Sequence, residues 1–184
     1  MPDLTVTHHP TQDVTWMSGD LERLAYHYRT DHQKPYIHPL RSSSGTELTA
    51  LEPSDHPWHR ALWFAWKYIN GINFWEEAGH PGIDLSRHAA GDGLGRTEFV
   101  AVDEVVWQPE RTRVTTRYAY KTPQGADLLR EERIVQVSLS PDGSCVIDWD
   151  ATFTADEQVV RLDRTVICPD TPWGGYAGLS FRAA

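Results

Sequence analysis

Between residues 34 and 77 the chain gathers side chains able to move protons or hold a ligand. His56 and His59 flank Trp58 in Asp55-His56-Pro57-Trp58-His59-Arg60, and His38 lies upstream in Lys34-Pro35-Tyr36-Ile37-His38-Pro39-Leu40. Imidazole titrates near neutrality, so it can take and return a proton within one reaction. Two imidazoles three residues apart meet if the backbone turns, and Pro57 biases it to turn. The same pair could ligate a divalent metal at the histidine cluster, with Asp55 as a further ligand or orienting one ring. A third reading has the rings only capping a loop through backbone hydrogen bonds. No third ligand stands at a fixed offset, so the spacing alone leaves these alternatives open.

The catalytic candidates are His56, His59 and His38. The expected substrate contacts are Trp58, Arg60, Asp55, Glu76 and Tyr36. An indole face stacks on the apolar C–H faces of sugars, and Trp58 stands between two histidines. Glu76 and Glu77 follow Phe74-Trp75. One of them serves as a second carboxylate if it turns inward; the alternative is a solvated pair at a strand end. Trp63 and Trp75 are expected in the core.

These groups need a scaffold, and the pattern around them is that of strands. Residues 111–120 alternate Thr112, Val114, Thr116, Tyr118 and Tyr120 against Arg111, Arg113, Thr115 and Arg117, the period of a half-buried strand. Thr122-Pro123-Gln124-Gly125 then reads as a tight turn. Residues 129–139 alternate again, and a second turn at Ser140-Pro141-Asp142-Gly143 leads to Cys145, Ile147, Trp149, Ala151 and Phe153 on one face. Three strands joined by tight turns make a meander. Residues 21–28, 97–107, 159–167 and 176–182 are expected strands, and 60–68 is expected as one buried strand. The fold class is all-β, an antiparallel β-sandwich formed by a single domain over 1–184. The glycine-rich stretch 79–95, which carries His80 and His88, is expected to be a long mobile loop acting as a lid.

The chain has 184 residues, 23% of them charged, with a net charge of -9. An acidic protein is poorly suited to phosphate backbones or anionic membrane surfaces, so neither nucleic acid nor membrane is expected as a partner. No apolar run reaches the roughly 18 residues of a membrane span, and residues 1–10 do not read as a secretory signal. Cys145 and Cys168 are expected as free thiols, which points to the cytoplasm.

The strings KPYIHPLRSSSGTELT, DHPWHRALWFAWKYINGINFWEE and GGYAGLSFR together resemble the PmoA-like family of bacterial proteins. The resemblance implies a sandwich similar to the galactose-mutarotase-type supersandwich, and a role in carbohydrate metabolism. His38 matches the family's P-Y-x-H-P string, and Asp55, His56, His59 and Arg60 match its D-H-P-H-H-R string. Asn70, Gly71, Phe74 and Trp75 match N-G-x-x-F-W. This chain departs by carrying Trp58 where the string usually has a histidine and Ala61 where it often has glycine. The family usually continues past G-L-S-x-R, so a chain ending at Ala184 is either a natural short form or a fragment; a sandwich shortened in this way is expected to assemble as a homo-oligomer through the edge thus exposed. The implied function is a soluble carbohydrate-processing enzyme, an isomerase, lyase or hydrolase using histidine chemistry on a small-molecule sugar or keto-sugar. A non-catalytic carbohydrate-binding module and a metal-dependent oxygenase, as the family's label reads, are the alternatives.

Overall fold

Alternating apolar and polar residues commit a segment to a strand with one face inward, and two such faces close on each other. A computed structural model describes residues 4–10, 12–28, 33–78, 91–108, 111–140, 142–156, 159–169, 171–172 and 177–184, and no helix occurs among them. The strands are β1 (Leu4–His9), β2 (Asp13–Ser18), β3 (Leu21–His27), β4 (Tyr36–Leu40), β5 (Leu62–Ala65), β6 (Tyr68–Ile69), β7 (Ile72–Asn73), β8 (Arg96–Gln108), β9 (Arg111–Lys121), β10 (Asp127–Leu139), β11 (Cys145–Thr154), β12 (Leu162–Asp163) and β13 (Gly178–Phe181). They form a six-stranded sheet in the order β1-β2-β3-β4-β5-β13, a four-stranded sheet in the order β11-β10-β9-β8, and a small sheet β12-β6-β7. Every named strand pair is antiparallel.

The two large sheets pack face to face. Val14, Trp16, Leu24, Tyr26 and Ile37 from the six-stranded sheet meet Val114, Tyr118, Val135 and Val137 from the four-stranded sheet. Full burial of each such side chain stabilises the fold by roughly 1.5–3 kcal/mol. The predicted meander is β9-β10-β11, and its inward residues are those the alternation selects. Gly125 closes the first turn, with φ of 90° and its N–H donating to Thr122 O. Asn70-Gly71, both at positive φ, join β6 to β7 in the two-residue turn that suits a hairpin.

The structure corrects several local expectations. Residues 60–68 are not one strand: β5 belongs to the six-stranded sheet and β6 to the small one. The chain leaves the sheet after Ala65, and buried Lys67 finds Glu76. Within 159–167 only Leu162–Asp163 pairs, and Val159 stands 90% exposed. The stretch 79–95 is not a loop throughout. Residues 79–90, with His80 and His88, lie outside the described residues, but 91–95 run beside β7, where Asn73 N donates to Gly93 O and Gly95 N to Asn73 O. The hairpin β1-β2, with no signal recognised in the sequence, forms one edge of the larger sheet.

Candidate functional site

The outer face of the six-stranded sheet, turned away from the sandwich core, carries a row of polar and aromatic side chains. Directly opposed residues in antiparallel strands share a face. The register sets His9 opposite Asp13, Asp13 opposite His27, His27 opposite Tyr36, Tyr36 opposite Trp63 and Trp63 opposite Ser180. His59 lies over Trp63 with ring centroids 5.0 Å apart, and His56 stacks on His59 at 4.8 Å with the planes 18° apart.

Local backbone geometry produces that stack. His56 N donates to Pro53 O and His59 N to His56 O, so two successive tight turns bring the two rings onto one side. Glu52 N donates to His59 O, and a bridge between Leu51 and Arg60 closes the loop. Trp58 does not present an open face. It is 2% exposed, packs with Trp63 and Trp75, and meets His56 edge-on at 5.4 Å. Tyr36 is buried in the same cluster.

Asp55 Oδ2 lies 3.0 Å from His56 Nδ1. Both carboxylate oxygens of Asp55 also accept bonds from the Arg182 guanidinium, each at 2.8 Å. Arg182 and then His56 hold the Asp55 carboxyl down at about 2. His59 is pushed down to about 4, first by burial and then by the neighbouring His56 ring and the positive charges of Arg182 and Lys34. It is therefore a neutral imidazole at neutral pH, and its Nδ1 is buried with no hydrogen-bond partner among the described residues.

Beneath the stack lies a frame of buried, paired charges. Glu77 accepts from Arg60 Nε at 3.2 Å and also from Arg60 Nη2, and lies 3.1 Å from Lys34 Nζ. Arg60 also pairs with Glu52, and Lys34 donates to the Trp75 carbonyl. Burial works to raise the Glu77 carboxyl, but Lys34 and Arg60 outweigh it and hold it below its ordinary range. Glu76 accepts from Lys67 Nζ at 2.7 and 2.5 Å and from Asn73 Nδ2 at 2.7 Å. Asn73 Oδ1 in turn accepts the Trp75 backbone N–H at 2.8 Å. Glu76 and Glu77 are thus both turned inward rather than solvated. Arg60 and Glu76 brace the site from below; their charged ends are engaged in the protein.

His38 belongs to a second group. Its Nδ1 lies 3.0 Å from Thr49 Oγ1, and its Nε2 lies 3.8 Å from Glu47. Its carbonyl accepts from His27 Nε2 at 2.6 Å, and His27 stacks on Tyr36 at 4.9 Å. No contact among the described residues links the His38 ring to the His56–His59 stack. The structure therefore joins two of the three predicted histidines.

The pair does not fit a shared metal. Imidazole lone pairs lie in the ring plane about 2.0–2.1 Å from a bound zinc, and nearly parallel stacked planes do not intersect at such a point. Among the described residues no group of three His, Cys, Asp or Glu side chains is placed to hold an ion. A hollow of about 450 Å³ lined by Arg117, Tyr118 and Glu131 lies on the four-stranded sheet, and none of its lining residues belongs to the stack. The sequence reading missed Arg182, 127 residues from Asp55, for which no local signal exists. It also missed Asn73, whose spacing from Glu76 in an N-x-x-E string is a recognisable turn signal.

The chain matches the model of a family described as of unknown function, DUF6807, over residues 13–184. No curated protein and no solved structure matches it.

Proposed function

We propose for this chain, which belongs to the DUF6807 family, a site that binds an uncharged sugar and moves a proton on it through His56 and His59. The observation that carries this reading is the parallel imidazole stack with Asp55 and Arg182 behind it. A carboxylate beside one ring nitrogen leaves the other nitrogen for a substrate. The Asp55 carboxylate lies beside His56 Nδ1, which like His59 Nδ1 makes no hydrogen bond among the described residues, and the His56 side chain is 41% exposed. It is the group that accepts a proton and returns it. Neutral His59 holds a hydroxyl by a hydrogen bond in a fixed position beside it.

The charges around the stack favour a neutral ligand. Arg182 is matched by Asp55, Arg60 and Lys34 by Glu77 and Glu52, and Lys67 by Glu76. A reaction that fits is ring opening or isomerisation, in which one proton leaves the sugar at one atom and returns at another. The resemblance to the PmoA-like family, with the mutarotase-type fold and sugar-metabolic setting it implies, supports the same reading. A binding module would need open indole faces, whereas Trp58, Trp63 and Trp75 are all 2–3% exposed.

The test is proton NMR of aldoses and ketoses in D₂O with the protein. The expected result is faster anomer exchange, or deuterium incorporation beside a carbonyl, lost in His56→Ala while sugar binding persists. Binding without turnover in the native protein would establish the module instead. Turnover unchanged in both His56→Ala and His59→Ala would overturn the role of the stack.

A further inference from the structure

Both large sheets end on the same side of the sandwich. Among the described residues β11 pairs only with β10, and β13 only with β5. Phe64 of β5 packs on Phe153 of β11 at 5.5 Å, which sets these two edges against each other. The register places Leu179 opposite Phe64 and Phe181 opposite Leu62, so both face the interior of the sandwich. They nevertheless stand 52% and 53% exposed. Ile147 and Trp149 on the inner face of β11 are only half-buried, whereas Val135 and Val137 one strand further in are fully buried. A hollow of about 500 Å³ opens there, lined by Ile147, Trp149 and Leu179 together with Asp148, Asp150 and Arg113, whose charge is already matched by Glu104.

A free backbone edge beside an uncovered apolar face is the geometry that takes up an added strand. The added strand must alternate, with apolar residues turned toward Leu179 and the others turned outward beside Asp148 and Asp150. Asp148 accepts a bond from Gln136, and Asp150 has no hydrogen bond or ion pair among the described residues. A second copy paired about the centre of β11 fits poorly. Pairing β11 with itself about Trp149 sets each Asp148 opposite an Asp150, and like charges directly opposed are destabilising. The other edge strand of the four-stranded sheet among the described residues, β8, already donates from Thr97 N to Gln33 O, and the chain as a whole has a net charge of -9.

We infer that the β11 edge receives an extended segment of a partner protein in which apolar residues alternate with lysine or arginine. The segment adds to β11 as a further strand of the four-stranded sheet. Its apolar side chains cover Leu179, and its cationic ones pair with Asp148 and Asp150.

The test uses the full chain and fluorescein-labelled, capped ten-residue peptides followed by anisotropy. One peptide alternates valine and lysine, a second valine and glutamate, and a third is the first with a central proline. The lysine peptide is expected to bind at least tenfold tighter than the other two, to weaken with added salt, and to slow amide exchange across residues 145–154. Asp148→Lys with Asp150→Lys should reverse the preference, and Asp148→Asn with Asp150→Asn should narrow it. Equal binding of the three peptides, no binding, or unchanged exchange in β11 would overturn the proposal. So would a dimer in light scattering that protects β11, which would make a second copy the occupant.

Discussion

Arg182 reaches from just beyond β13 to hold Asp55 by two hydrogen bonds, and Asp55 faces His56. Replacing it by methionine should let the Asp55 carboxyl rise from about 2 toward the ordinary range near 4. The rise should stay incomplete, because His56 still acts on it. A carbon-detected NMR titration of the carboxyl checks this; an unmoved Asp55 would remove Arg182 from the site. His59 makes a pH-dependent contribution. Its pKa lies at about 4 in the fold and near 6.5 in the unfolded chain. Between those values the unfolded chain binds the extra proton, so stability rises with pH through that window. The contribution is complete above 6.5 and lost as pH falls through 4. Allowing for solvent screening it amounts to on the order of 1–2 kcal/mol. Urea midpoints of native and His59→Gln protein should therefore converge as pH falls from 7 to 4. His56 and Trp75 should behave oppositely in unfolding. His56→Ala should leave the midpoint nearly unchanged. Trp75→Ala, at 3% exposure, should cost roughly 3–5 kcal/mol. Equal losses would make His56 a structural residue.

At the scale of elements, the strip 91–95 packs tightly against the strand leading into the site. A β-carbon on Gly95 would fall 2.4 Å from the Phe74 ring, which is itself 4% exposed. Gly95→Ala should accordingly destabilise the fold by about 1–3 kcal/mol, the range for overpacking a core. Phe74→Leu added to it should restore part of the loss, as read by thermal unfolding. If Gly95→Ala is neutral, the strip does not press on Phe74. The glycines here serve close approach of backbone to ring. In the sequence the glycines at 91–95 look the same as glycines that serve mobility, which is why the expected loop extends over them.

Across the whole molecule, the sandwich interior holds an ion pair as well as an apolar core. Arg133 lies between the Tyr118 and Trp149 rings, 4.6 Å from each, and donates to Glu131 at 2.8 Å. Tyr120 donates to the same carboxylate at 2.6 Å. Both charged side chains are fully buried. Arg133→Met should cost about 3–5 kcal/mol by leaving Glu131 uncompensated, and adding Glu131→Leu should recover much of that loss. Denaturant melts of the single and double variants decide it. A double variant no better than the single would mean that the rings, rather than the charge, depend on Arg133.

The meander β9-β10-β11 was legible because alternation and turn chemistry are local, and a strand with one buried face must display them. The proximity of His56 to His59 was legible for the same reason: the turn that contains Pro57 is local, and the turn before it is local too. The roles of Arg60, Glu76 and Glu77 were not. A charged side chain in a sequence carries no mark of whether a partner will meet it away from water. Lys34, Lys67 and Asn73 arrive from separate segments to make that possible. Arg182 at Asp55, the separation of His38 from the stack, and the open edge beside Leu179 have the same origin. Each depends on which strands become neighbours, and that is decided by the closing of the two sheets on a shared core rather than by any one segment.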